Sequence, residues 1–202
     1  MNFKNLYASA QRLGISLCPH RAKKLYEAAL TALELDGEFW ECGVYQGGSA
    51  EMLLSIVTAK FRPFRLFDTF TGFTGITDAD KPKGWNHMRE GNMAASLDSV
   101  RARLGSTPTF YPGAIPKTFK GLEGSRIAFA NIDVDLYQPT RDALAFILPR
   151  MVPGGTIIID DCGAEEWPGV EKAVREIAGD NYSKSRCSCV GWKPMWQGRI
   201  DV

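Results

Sequence analysis

Short apolar runs alternate with longer mixed stretches along this chain, and the two differ in period. Phe39-Trp40-Glu41-Cys42-Gly43-Val44, Phe64-Arg65-Leu66-Phe67, Thr109-Phe110-Tyr111, Ile127 to Ile132 and Thr156 to Ile159 are brief and rich in branched and aromatic residues, as buried strands are. Between and around them, residues 22–35, 49–60, 96–104, 140–148 and 169–178 read as helices. The first is rich in Ala, Leu, Lys and Glu and is stopped by Gly37; Ser96 is placed to cap a later one. Strand, crossover helix and strand, repeated, is the unit of a parallel sheet. Residues 1–17 mix polar and apolar positions at helical spacing, and residues 182–200 hold room for two final strands. The expectation is one α/β domain over residues 37–202, with a helical segment, residues 1–36, packing on or capping it.

One connection breaks the rhythm. Residues 69–95 are full of Gly, Thr, Asp, Lys and Pro, and connections of that length are often lids or disordered segments. Composition adds exclusions. The chain has 202 residues, 45% of them hydrophobic, enough for one full core. A formal net charge of +1 gives no large basic surface, so nucleic acid is not an expected partner. No run approaches ~18 apolar residues, so no membrane helix is expected. The five cysteines are odd in number and no secretory pattern precedes them, which reads as reduced thiols in the cytoplasm. Cys187-Ser188-Cys189 lacks a second Cys/His pair at metal-site spacing and reads as strand residues.

The candidate chemistry sits where strands end. Asp133 and Asp135 follow the fourth strand in Ile132-Asp133-Val134-Asp135-Leu136-Tyr137, and Asp160-Asp161 follow the fifth. Acids just beyond buried strands lie at the carboxyl edge of a sheet, where open α/β sheets bind ligands. Two such charges about 4 Å apart repel by about 4 kcal/mol at an effective dielectric near 20. A hard divalent cation with oxygen ligands would turn that repulsion into binding. The turn Glu41-Cys42-Gly43-Val44-Tyr45-Gln46-Gly47-Gly48-Ser49 joins the first strand to its helix, and its glycines permit close approach of a ligand to the backbone. Tyr45 stands where a dinucleotide fingerprint has its second Gly, which favours a smaller nucleoside ligand. Asp68, ending the second strand, holds the position of an acid that grips ribose hydroxyls.

These motifs, in this order, resemble the macrocin O-methyltransferase family. The resemblance runs through Glu41-Cys42-Gly43-Val44 with Gly47-Gly48-Ser49, Phe67-Asp68-Thr69-Phe70-Thr71-Gly72-Phe73, Ser96-Leu97-Asp98-Ser99-Val100 and Tyr111-Pro112-Gly113. It continues through Ile132 to Tyr137, Pro153-Gly154-Gly155 and Ile159-Asp160-Asp161. It implies a class I methyltransferase, Rossmann-like fold: a mainly parallel seven-stranded sheet flanked by helices, with an antiparallel last hairpin. It implies S-adenosylmethionine as donor and Mg²⁺ held by Asp133, Asp160 and Asp161, with Asp135 as the base. Donor-site positions carried over are Glu41, Gly43, Tyr45, Gly47, Ser49, Asp68, Gly113, Ala114 and Asp133. The acceptor implied is a small molecule with a sugar or vicinal-diol hydroxyl, and a homodimer follows by analogy. Ala114 is small where a bulky residue is expected, and residues 75–95 match the family poorly.

Holding donor and hydroxyl at near-attack distance supplies roughly 7–11 kcal/mol, a metal-bound hydroxyl loses its proton more readily, and a nearby Asp accepts it. His87, beside Trp85 and Asn86, is a second candidate base. Phe70, Phe73 and Trp85 form either an acceptor wall or core beneath the lid. Two other readings compete. Asp133-Val134-Asp135 is a D-x-D of the kind metal-dependent glycosyltransferases use, although that leaves residues 41–49 and Asp160-Asp161 unexplained. The last is a non-catalytic, donor-binding relative.

Overall fold

A computed structural model describes residues 2–12, 14–81, 88–187 and 195–202. Its seven strands are β1 (Glu38–Cys42), β2 (Phe64–Asp68), β3 (Thr109–Pro112), β4 (Ile127–Ile132), β5 (Met151–Asp160), β6 (Ser183–Cys187) and β7 (Met195–Asp201). They form one sheet in the order β3-β2-β1-β4-β5-β7-β6. The first five pair in parallel, and β7 runs antiparallel to both β5 and β6. The mainly parallel sheet with an antiparallel last hairpin is thus present. The order turns back between β1 and β4, so the loops after these strands part there and leave a crevice at the carboxyl edge.

Among the described residues, six α-helices flank the sheet: α1 (Phe3–Arg12), α2 (Pro19–Ala32), α3 (Gly48–Val57), α4 (Leu97–Leu104), α5 (Tyr137–Ile147) and α6 (Pro168–Ala178). Strand side chains alternate between two cores. Phe39, Phe64, Leu66, Phe129 and Ile158 face α1 to α4, while Trp40, Phe67, Ile132, Ile157 and Ile159 face α5 and α6. Every residue of β4 is buried, as a strand covered on both faces requires. Ser96 does cap α4: its hydroxyl oxygen accepts from the Ser99 N–H at 3.3 Å.

Three elements, α2, α5 and β5, start well before their sequence pattern suggests. α2 begins at Pro19, a residue suited to the first turn of a helix because its missing N–H would go unused there. β5 begins at Met151, with the Pro153-Gly154-Gly155 stretch absorbed as a bulge. The Gly154 N–H donates to the Val202 carbonyl and the Val202 N–H to the Gly155 carbonyl, so the end of β7 fastens the bulge. No helix among the described residues is long and apolar enough to cross a membrane.

The N-terminal helices pack against α3 through a close backbone approach. A methyl group at Gly48 would come within 2.6 Å of the Ile15 backbone. Gly48→Ala is therefore expected to lower stability by about 1–3 kcal/mol. Hydrogen exchange should rise in residues 2–17 while β4 stays protected; unchanged exchange there would show that the contact is slack.

Candidate functional site

The pleat of β5 decides where its acids point. Ile158 packs on the α1–α4 side, so Asp160, two residues on, points to the same side. There it meets Arg21 of α2. The guanidinium is fully buried; its Nη2 contacts Asp160 Oδ2 and lies 3.2 Å from Asp161 Oδ1. Beyond β4, the Asp133 N–H donates to the Cys42 carbonyl at 2.8 Å and prolongs the β1–β4 pairing. The Leu136 N–H donates to the Val134 carbonyl at 2.6 Å, closing a three-residue turn around Asp135. Asp135 has φ +61° and Asp161 φ +55°. Left-handed backbone costs a non-glycine residue roughly 1–2 kcal/mol, and Asp is among the residues that tolerate it best.

A cavity of about 450 Å³ opens over these carboxylates and lies at the crevice of the sheet. Asp133, Asp135, Asp160 and Asp161 form one wall. Gly43, Tyr45, Ser49 and Asp68 line the cavity as well, as do Gly113 and Ala114. Phe73, Met93 and Trp167 add an apolar side, and Phe73 stands edge-on to the Trp167 ring. Phe70 packs instead on the α1–α4 core. Residues 14–16 of the N-terminal segment also reach the cavity. Trp85 and His87 lie outside the described residues.

Two of the expected donor-site residues do not line this cavity. Glu41 lies fully buried behind the wall, where its Oε1 accepts from Asn131 Nδ2 at 3.0 Å on the neighbouring strand. Its position on a central strand, rather than in the turn, turns the side chain into the layer beneath. Gly47 caps α3 with φ +87° and faces Val100 and Leu104. Gly43 does line the cavity, and a side chain there would run into the Asp133 carbonyl.

Asp68 has a structural task in addition to facing the cavity. Its Oδ2 accepts from the N–H groups of Val44 and Tyr45 at 2.7 and 2.9 Å, and its Oδ1 from Phe70 N–H at 2.7 Å. One carboxylate thereby ties the Gly-rich turn to the loop after β2. It also stabilises the left-handed Tyr45, φ +48°, at the place where a glycine would be easier.

The crowding of acids is visible in their protonation. Burial, and then the charge of Asp161, push Asp133 up to about 7, with Arg21 opposing. Burial and the neighbouring Asp133 and Asp161 drive Asp135 well above the usual carboxylate range. Burial raises Asp161 as well, again opposed by Arg21. As a donor set, four hard carboxylates suit a divalent ion. As placed, they do not form its cage: Arg21 holds Asp160 and Asp161, and no three metal-ligating side chains converge among the described residues.

Sequence reasoning missed Arg21 and Asp80. Arg21 sits in an Arg-Ala-Lys-Lys run that looks solvated, yet it shares a helical face with Leu25, Ala28, Ala29 and Ala32, all buried. Asp80, 1% exposed, lies in the long loop and accepts from the Tyr137 N–H at 2.5 Å, satisfying the start of α5.

The family described as macrocin-O-methyltransferase matches residues 16–196. An 8-demethyl-8-(2,3-dimethoxy-alpha-L-rhamnosyl)-tetracenomycin-C 4'-O-methyltransferase of Streptomyces olivaceus is 34% identical over 137 residues, 62% of this chain and 52% of that protein. The mycinamicin III 3''-O-methyltransferase of Micromonospora griseorubida is 32% identical over 139 residues, 62% of this chain and 55% of that protein. The chain thus spans about half the length of the curated relatives it matches. The solved calicheamicin methyltransferase CalS11 shares the fold with TM-score 0.70 at 19% identity, covering 96% of this chain and 91% of that one.

Burial pushes the Glu41 carboxyl up to about 8, against hydrogen bonds from Ser49 and Asn131 and with the charges of Asp133 and Asp68 adding. The folded state therefore keeps a proton that the unfolded chain gives up near its ordinary value of 4.5. Stability should fall as pH rises from that value towards about 8. Between pH 6 and pH 8 this group contributes a decline on the order of 2 kcal/mol. Urea unfolding at both pH values should show a shallower decline for Glu41→Gln; parallel curves would mean that Glu41 is ionised in the folded protein.

Proposed function

The chain belongs to the macrocin O-methyltransferase family, and from that premise we propose that it transfers a methyl group from S-adenosylmethionine to a sugar hydroxyl of a natural product or glycan. The observation that carries this reading is a cavity, of a size suited to a small molecule, that brings the Gly43–Ser49 turn and Asp135 together at the carboxyl edge. Its volume and its acidic lining fit the donor, whose sulfonium is cationic. When bound, S-adenosylmethionine supplies a methyl group already activated by that positive charge.

The roles follow from position. Gly43, Tyr45, Ser49, Gly113 and Ala114 shape the donor side, and Asp68 fixes the turn while offering its remaining lone pairs to a ribose. Phe73, Met93 and Trp167 face the acceptor with apolar surface suited to the C–H face of a sugar. Asp133 and Asp135 border the space between the two sides. Asp135 is the proposed base: its turn aims it into the cavity, and its raised pKa gives it the basicity that an ordinary aspartate lacks. The acceptor O–H proton passes to Asp135, the oxygen forms its bond to the methyl carbon, and the carbon–sulfur electron pair returns to sulfur. No step in this sequence is assigned to a metal ion.

Calorimetric titration with S-adenosylhomocysteine tests the donor site directly, and absence of binding would overturn it. Asp135→Asn should lower turnover of a vicinal-diol glycoside by ~100-fold or more. Its affinity for S-adenosylhomocysteine should stay within about threefold of wild type, a difference of under ~1 kcal/mol. A variant that keeps full turnover would remove Asp135 as the base.

A further inference from the structure

Arg21 enters the carboxylate cluster from outside the sheet. It stands near the start of α2 and ends that helix's buried face, ahead of Leu25, Ala28 and Ala32. Its guanidinium and the Asp160 and Asp161 carboxylates are all buried. Nη2 lies against Asp160 Oδ2 and 3.2 Å from Asp161 Oδ1, so one donor nitrogen bridges the two acids. Guanidinium remains charged at any working pH, so this cation cannot be neutralised in place.

A hard divalent ion would need the same oxygens. Mg²⁺ binds at about 2.0–2.1 Å and demands near-octahedral geometry, which leaves no room for a guanidinium nitrogen on the same carboxylate edges. Two cations a few ångströms apart in a buried site also repel strongly. We propose that Arg21 is the resident cation of the Asp160–Asp161 pair, so that a divalent ion binds there only by displacing Arg21 and the first turn of α2 with it. The protein as it stands then binds Mg²⁺ and Mn²⁺ weakly, and removal of the guanidinium creates a metal site.

The probe is Mn²⁺, with its free fraction followed by electron paramagnetic resonance, on wild type, Arg21→Lys and Arg21→Met. Arg21→Met should bind Mn²⁺ at least about tenfold tighter than wild type, a change of ~1.4 kcal/mol or more. Arg21→Lys, which keeps the charge, should stay close to wild type. Equal or weaker binding by Arg21→Met would overturn the proposal.

Should Arg21→Met not fold, wild type alone decides. Saturating Mn²⁺ should speed hydrogen exchange at the start of α2, or fail to bind. Bound Mn²⁺ with α2 protection unchanged would show that metal and guanidinium coexist. S-adenosylhomocysteine titrated into the same metal-free wild type reports the donor site separately, so its binding leaves the methyltransferase reading standing whichever way the Mn²⁺ result falls.

Discussion

Acids at the carboxyl edge repel, and this constraint organises the centre of the molecule. Glu41, Asp68, Asp133, Asp135, Asp160 and Asp161 lie at or just past the ends of four neighbouring strands. Each is handled by a different physical device. Asp68 is stabilised by three backbone N–H donors. Asp160 and Asp161 share a buried guanidinium. Glu41, behind the wall, holds its proton to about pH 8. Asp133 and Asp135, lining the cavity, are held above the ordinary carboxylate range by burial and by neighbouring acids. Apart from Glu41, the acids without a cationic or backbone partner therefore lie at the cavity, and the compensated ones lie where elements pack.

The strand pattern carried the parallel part of the sheet because its buried strands are short, branched and aromatic runs, too brief for helices, whereas the polar β6 carries no such signal. The carboxylate clusters were legible for the same reason: an acid directly after such a run has to emerge at the sheet edge. Direction was not legible. Glu41 and Asp68 both looked like donor-site acids, but the pleat turns Glu41 into the layer beneath, and backbone donors give Asp68 a second task. Arg21 was hidden by its neighbours Lys23 and Lys24, since only helical phase separates the buried guanidinium from the exposed Lys23 and the half-buried Lys24. Asp80 was hidden by distance, as 57 residues separate it from the N–H it satisfies.

The N-terminal segment belongs to the site in a physical sense. Residues 14–16 border the cavity, Gly48 lies against the Ile15 backbone, and Arg21 completes the charge balance at the other end. Breaking a buried ion pair by removing one partner costs on the order of 3–5 kcal/mol. The hold of α2 on the domain is thus electrostatic at its first turn and apolar along the rest of its face.

Asp80 joins three segments at one point. Its Oδ2 accepts from the Thr77 backbone and hydroxyl, its Oδ1 from the first N–H of α5, and the first turn of α6 presses on it at Gly169, where no side chain would fit. α5 begins two residues after Asp135, so the loop at 77–80 and the start of this helix are clasped by a single side chain. Lifting the 77–80 turn would uncover an amide of α5 and loosen the backbone that aims Asp135. The 77–80 turn, the start of α5 and the first turn of α6 are, through this clasp, mechanically one unit.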